Sequence, residues 1–330
     1  MAHGCSGKED SHKFNLGILC CLPKKVAGTH STLGDYYTAA DTRPLSIVNT
    51  DNRIIASAMK LAWEPIFNKW VSDSQRGFLK GRSMLANILE IDEVAMTISL
   101  TEAYGGMVLF DFKAAFPSIE HEYLFKVLEH IGTPKPVLNA IMALYDQVQC
   151  ILQFKGETSD NIGMTAGVRQ GCPLSPLLFA VTVDLLLRRL NRLIPDATFM
   201  TFADDIGAII RDIPKEAALL MSTFADFGKA SGLDLNFPKT LVVPLWEGGI
   251  TEARDSMTKR DVRWNSVAFD DKGAYLGFVL GPGKGDSSWH KAISKFENRV
   301  KLWCAQPQGL HQYFRLQHLR YFGALVYRTV

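Results

Sequence analysis

Two apolar runs broken by acid are the strongest constraint on what this chain can fold into. Thr198-Phe199-Met200-Thr201-Phe202 and Ile206-Gly207-Ala208-Ile209-Ile210 flank Ala203-Asp204-Asp205. Both runs favour strands, and the acidic pair Asp204-Asp205 between them reads as the tip of a β-hairpin. Aspartates are also ordinary turn residues, so the hairpin alone assigns no chemistry. A second acidic position adds to it. Met107-Val108-Leu109-Phe110-Asp111-Phe112 reads as a buried strand with one carboxylate among large apolar side chains. An ionised carboxylate there is costly unless a cation or donor offsets it.

Three carboxylates converging from two strands would repel one another and take up protons, a conflict that divalent cations remove. Oxygen-only ligands suit hard ions such as Mg²⁺. Two such ions about 3.5–4 Å apart can clamp the attacking and leaving oxygens of an in-line phosphoryl displacement. The residues therefore point to nucleotidyl transfer and leave polymerase and nuclease both open.

At 330 residues the chain can bury a large core in two or three lobes. No apolar run approaches the ~20 residues that span a bilayer. The short Phe14–Leu22 run is followed, not preceded, by Lys24-Lys25, the reverse of a signal peptide. An intracellular protein without a membrane partner is expected. The six cysteines are scattered, without zinc-site spacing. Net charge is only +2, but from Lys284 onward eight Lys/Arg face Asp286 and Glu297, giving that end +6. A basic, aromatic-interleaved end fits binding to a phosphate backbone, and a solvated helix face is the plainer reading.

In order, the chain predicts a strand over Leu16–Leu22, a loop over 27–42 and an extended Arg43–Val48. Two strands carrying Lys24, Lys25 and Arg43 could hold a triphosphate by charge-assisted hydrogen bonds, with ordinary surface lysines as the alternative reading. A helix over Arg53–Asn68, capped by Thr50 or Asp51, puts Ile54, Ile55, Ala58, Leu61 and Ala62 on one face. The basic loop Gln75–Ser83 leads to a helix over Leu85–Thr101. After Asp111, Ser118 caps a helix running to Gly132, and Pro136 opens another. A hairpin over 148–168 and an apolar helix from Pro176 to Arg192 precede the acidic hairpin. Next come a helix over Pro214–Ser231, a strand over Thr240–Leu245 and a polar connection over 246–261. A hairpin pairs 262–269 with 274–280. Trp289, Ile293, Phe296, Val300 and Trp303 form a helix stripe read as core packing, and a last helix starts near Gln308. Mixed strands and helices without a βαβ rhythm make the fold class α+β.

These residues, in this order, resemble the reverse transcriptases of non-LTR (LINE-type) retrotransposons over roughly Leu16 to Gly281. Phe110-Asp111-Phe112-Lys113-Ala114-Ala115-Phe116 is similar to motif A. Gly167-Val168-Arg169-Gln170-Gly171-Cys172-Pro173-Leu174-Ser175-Pro176 is similar to motif B, and Phe202-Ala203-Asp204-Asp205 to motif C. Gly232-Leu233-Asp234-Leu235-Asn236 with Lys239 resembles motif D, and Tyr275-Leu276-Gly277 motif E. Arg43-Pro44-Leu45-Ser46 and Gly77-Phe78-Leu79-Lys80-Gly81-Arg82-Ser83 resemble the fingers motifs.

The resemblance implies a right-hand polymerase fold. Its parts would be a mobile N-terminus at 1–15, fingers at 16–104, a palm with an antiparallel sheet at 105–283, and a partial basic helical thumb at 284–330. It implies RNA-directed DNA synthesis from dNTPs on an RNA template and a DNA primer, with two Mg²⁺ ions or Mn²⁺ as a substitute. Asp111 and Asp204 would be the main metal ligands, with Asp205 beside them. Phe116 would exclude a ribose 2′-OH, although a core phenylalanine is the plainer reading. Gln170 and Gly171 would line the nucleotide site, Arg169 would contact template or phosphate, and Lys24, Lys25 and Arg43 would approach the triphosphate. Lys239 would protonate or stabilise the leaving pyrophosphate; a surface lysine is the alternative. An endonuclease or other element-encoded partner is also implied. Pro117 stands where the family commonly has Asp, and Val26 where it often has a more polar residue. A remnant that binds nucleic acid without synthesis is the alternative function. An intron maturase is disfavoured by Cys172, and a viral RNA polymerase by Ala203 and Phe116.

Overall fold

The computed structural model describes residues 14–304 except 25, 33, 39–40 and 155–156. The expectations for Lys25, for most of the N-terminus and for the helix after Gln308 lie outside the described residues. The first elements are β1 (Leu16–Pro23), β2 (Gly28–His30), β3 (Gly34–Tyr36) and β4 (Thr42–Val48), then α1 (Thr50–Trp70) and α2 (Met84–Thr101). β5 (Gly106–Phe110) precedes α3 (Ala115–Ser118), α4 (His121–His130) and α5 (Lys135–Tyr145). β6 (Gln149–Phe154), β7 (Glu157–Thr158) and β8 (Ile162–Gly163) lead to α6 (Ser175–Leu193). β9 (Thr198–Phe202), β10 (Asp205–Ile210), α7 (Ile213–Ser231), β11 (Leu241–Pro244) and α8 (Gly249–Arg260) follow. β12 (Ala268–Phe269), β13 (Gly273–Tyr275), β14 (Phe278–Leu280) and α9 (Ser287–Cys304) complete them.

The chain forms two compact units. One comprises Met1–Trp70, Lys113–Thr182 and Phe227–Leu233; the other comprises Val71–Phe112, Val183–Asp226 and Asp234–Val330. In the first unit β1 pairs antiparallel with β4 and parallel with β6. In the second, the strand order is β12-β11-β5-β10-β9. All its pairings are antiparallel except the two-residue β12 against β11. Side chains alternate across β5. Met107 and Leu109 join Ile88, Ile91, Ala95 and Ile98 of α2 in the core. Phe110 meets Phe224 of α7 at 4.4 Å between ring centroids. The 3.6-residue period of α2 was readable because its buried face is apolar at Ile88, Ile91, Ala95 and Ile98, with Asn87 the polar exception.

Elsewhere the structure departs from the sequence reading. Helix α1 buries Asn52, Ala56 and Phe67, while Ile54 and Leu61 are 62% and 73% exposed. Its cap is Asn49, whose Oδ1 accepts the Asp51 amide at 3.0 Å. Ser118 caps nothing: its hydroxyl donates back to the carbonyls of Lys113 and Ala114, and α4 starts after Glu120. The expected loop at 27–42 contains the β2–β3 hairpin. The polar 246–261 stretch contains α8, which docks through Ala253 and Met257, four residues apart on one face. Residues 262–266 are a 3₁₀ helix with Trp264 buried, so the later hairpin is only β13–β14. Along α9, Trp289, Ile293 and Phe296 are exposed rather than core, although Trp289 packs edge-on against Phe278 at 5.0 Å.

Three tyrosines, Tyr123, Tyr145 and Tyr275, are held well above the ordinary phenol value of 10.0, chiefly by burial. The folded protein keeps them neutral where the unfolded chain ionises them. Their contribution is therefore complete below pH about 10 and is lost as pH rises towards the folded-state values, at about 1.4 kcal/mol per pH unit for each ring. The urea midpoint is expected to fall steeply above pH about 10, and replacement of Tyr123 by Phe should flatten that fall.

Candidate active site

The second unit brings the acidic positions to one end of its sheet. β9 and β10 pair Asp205 with Phe202, so the two-residue turn is Ala203-Asp204 and Asp205 opens β10. That is one residue earlier than an Asp204-Asp205 tip. Ala203 has a φ of 61°, the positive φ that such turns require at their first position and that costs any residue with a Cβ. Antiparallel pairing of Ile206 with Phe110 places Asp205, one step on, opposite Asp111. Asp204 is half-buried and Asp205 exposed.

Asp111 leaves a strand held on both sides, by β10 and β11. Its carbonyl accepts the Asn236 amide at 2.7 Å. This contact docks the 3₁₀ turn Phe237–Lys239, and Lys239 Nζ stands 3.6 Å from Asp111 Oδ2. That oxygen is buried and accepts no hydrogen bond. Among the described residues, no three His, Cys, Asp or Glu side chains, the three aspartates included, form a group that could hold a metal ion. Mg²⁺ does not need three: it is commonly held by one or two carboxylates, with water and substrate phosphates completing the octahedron. An orphaned buried carboxylate oxygen beside an acidic turn fits that mode.

The other expected residues lie in the first unit. Phe116 sits on the one-turn helix α3, entered through Ala114 at a φ of 43°. Pro117 falls in that first turn, where its missing amide costs no helical bond. The Phe116 ring stacks on buried Phe179 at 4.6 Å and 6°. Its carbonyl accepts the Val168 amide at 2.8 Å, which ties α3 to the 167–171 loop. The Gln170 carbonyl accepts the Ser46 amide of β4 at 2.8 Å. Gly171 has a φ of 110°, and a Cβ there would lie 2.6 Å from the Ser46 carbonyl oxygen, so β4 itself demands glycine. Register pairs Arg43 with Leu22, which puts exposed Arg43 and Lys24 at the same end of the β1–β4 pair.

Arg169 does not reach outward. Its guanidinium is buried, donating to the Leu144 carbonyl at 2.8 Å and to Asn52 Oδ1 at 3.3 Å, over the Tyr145 ring. A structural arginine replaces the expected contact with template or phosphate. Sequence reading also missed buried Gln75, which is hydrogen-bonded to the acidic turn. A glutamine in a basic loop carries no periodic signal.

The profile of the family described as reverse transcriptase (RNA-dependent DNA polymerase) matches residues 23–280, and the chain belongs to that family. Its curated relatives include non-LTR retrotransposon proteins, as the motifs implied. It is 25% identical over 270 residues to the transposon TX1 uncharacterized 149 kDa protein of Xenopus laevis, covering 78% of this chain and 20% of that one. It is 28% identical over 246 residues to the Pol polyprotein of the type-2 retrotransposable element R2DM of Drosophila melanogaster, covering 70% and 22%. The chain thus spans about a fifth of the length of these relatives. Among solved structures, telomerase from Candida tropicalis with a TWJ fragment of telomeric RNA superposes with a TM-score of 0.58 at 11% identity, over 88% of this chain and 49% of that one. That likeness gives the right-hand polymerase fold, with mixed helix and antiparallel sheet as expected. Members of the family generally use divalent metal ions. No described helix is long and apolar enough to cross a membrane.

Proposed function

We propose that this chain catalyses RNA-directed DNA synthesis, extending a DNA primer on an RNA template with dNTPs and Mg²⁺. The observation that carries this reading is the orphaned Asp111 oxygen beside the Ala203-Asp204 turn, in a chain of this family. The primer 3′-oxygen bonds to the α-phosphorus, the bond to the bridging oxygen breaks, and pyrophosphate leaves. Bound Mg²⁺ or Mn²⁺ would supply charge neutralisation and a more acidic primer hydroxyl. Asp111, Asp204 and Asp205 would hold the ions. Lys239, already beside Asp111, offers its ammonium to charge developing on the leaving group. Lys24, Arg43, Gln170 and Gly171 would contact the incoming nucleotide. The division into fingers (16–104), palm (105–283) and thumb (284–330) belongs to the same proposal, as does partnership with an endonuclease.

Primer extension on an RNA template, with Mg²⁺ and with chelator, tests the reading. Template-dependent, metal-dependent extension is expected; binding without extension in either metal would instead favour a nucleic-acid-binding remnant. The Phe116 stack makes a narrower prediction. Phe116→Ala should leave dNTP use nearly intact and raise relative NTP incorporation by about 10–200-fold, the range a steric pocket commands. Competition between dCTP and CTP measures it, and an unchanged ratio would return Phe116 to the core.

A further inference from the structure

We infer that Gln75 is a positioning residue for the acidic turn, holding the Ala203 peptide in its costly conformation and thereby setting where Asp204 stands. The inference rests on the polymerase reading for its consequence, but its geometry is independent of that reading. Gln75 is fully buried. Its Oε1 accepts the Ala203 amide at 3.1 Å and the Gly77 amide at 2.8 Å. Its Nε2 donates to the Ala203 carbonyl at 3.3 Å. One carboxamide therefore satisfies both backbone groups of a non-glycine residue with a φ of 61°. Gly77 completes the seat: a Cβ there would lie 2.1 Å from the Ala203 nitrogen, leaving no room for any side chain.

The seat is itself anchored. Arg82 donates to the carbonyls of Val71 at 2.8 Å and Gln75 at 2.5 Å, and also to that of Ser72. Buried Asp184 accepts the Ser72 amide at 3.1 Å and the Arg188 Nε at 2.7 Å. On the other side, the Tyr275 hydroxyl faces the carbonyls of Met200 and Asp205 at 3.2 and 3.4 Å and accepts from Asn87 at 2.9 Å. The hairpin is held from two directions, and the Gln75 side contacts its strained residue directly.

Gln75→Met keeps the volume and removes all three bonds. The test pairs it with Gln75→Met/Ala203→Gly, because glycine adopts a positive φ unaided. Hydrogen exchange across Phe202–Ile206 and the Mg²⁺ dependence of primer extension are measured in the full chain. Gln75→Met should exchange about tenfold faster there, with extension about tenfold slower and a higher half-saturating Mg²⁺. The double variant should recover most of the rate and the Mg²⁺ dependence. Unchanged exchange in Gln75→Met overturns the inference, as does a rate loss that Ala203→Gly leaves in place. If Gln75→Met does not fold, Gln75→Glu, which retains the accepting oxygen, replaces it in the same comparison. A wild-type chain that never extends a primer overturns the polymerase reading instead, and exchange alone then decides the role of Gln75.

Discussion

Asp204→Ala and Asp111→Asn are each expected to lower primer extension by on the order of 10³-fold or more, since several kcal/mol of charge stabilisation disappear at about 1.4 kcal/mol per decade. Stability should move the other way. Asp111 Oδ2 is buried and accepts no hydrogen bond, so the fold gains little from its charge. Its ion pair with Lys239 spans 3.6 Å, and Lys239 is 60% exposed. A pair that open is worth at most about 1 kcal/mol, and Asn keeps the shape while removing repulsion from the neighbouring aspartates. Asp111→Asn should therefore melt at or above the wild-type temperature while failing to extend. A purely structural aspartate would lose stability and activity together. Retention of more than a tenth of the wild-type rate in either variant would sink the metal-ligand assignment.

Gly167→Ala is expected to damage the fold strongly. Gly167 has a φ of 90°, and a Cβ there would meet the Pro117 oxygen, carbonyl carbon and Cα at 2.6, 2.7 and 2.7 Å. All three atoms are backbone or ring-constrained and cannot swing aside. The Gly167 amide donates to the Ile119 carbonyl at 2.7 Å, and the neighbouring Val168 amide holds Phe116. Backbone strain and overpacking together should cost about 3–5 kcal/mol, lowering the melting temperature by roughly 6–15 °C. Whatever folded enzyme remains should discriminate less well between dNTP and NTP, because Phe116 must move with Pro117. Gly163→Ala is the control: a Cβ there meets nothing within 4 Å, and its melting temperature should not change. Equal behaviour of the two variants would refute the close-approach argument.

How much of this was readable depended on whether the signal was local. The acidic hairpin was legible because strand formers and turn formers alternate within a dozen residues, and β5 because its apolar run is uninterrupted. Glycines 167 and 171 were visible as part of a motif, but their reason was not: each is required by a backbone distant in sequence, Pro117 in one case and Ser46 in the other. Helix α1 misled because its large aliphatics, Ile54 and Leu61, stay on the surface while its contact face is built from Asn52 and Ala56. Helix α8 was hidden because two small contacts, Ala253 and Met257, dock an otherwise polar segment. Arg169 and Gln75 show the same limit from the polar side. Whether a buried polar side chain serves a ligand or a neighbouring peptide is decided by long-range hydrogen bonds that no short window contains.

The five-stranded sheet must also avoid recruiting other chains. One of its margins ends in β12, only two residues long. At the other margin, β9 has Thr201 bonded outward in both directions, to the Ser74 carbonyl and the Arg76 amide, each at 2.7 Å. The segment that seats the turn thus also occupies hydrogen-bonding positions that a foreign strand would use. Shortening the 71–83 loop would open a flat, apolar margin to pairing between molecules. Such deletions should be recovered as aggregates rather than as soluble inactive enzyme, and solubility, before any assay of synthesis, would be the first property lost.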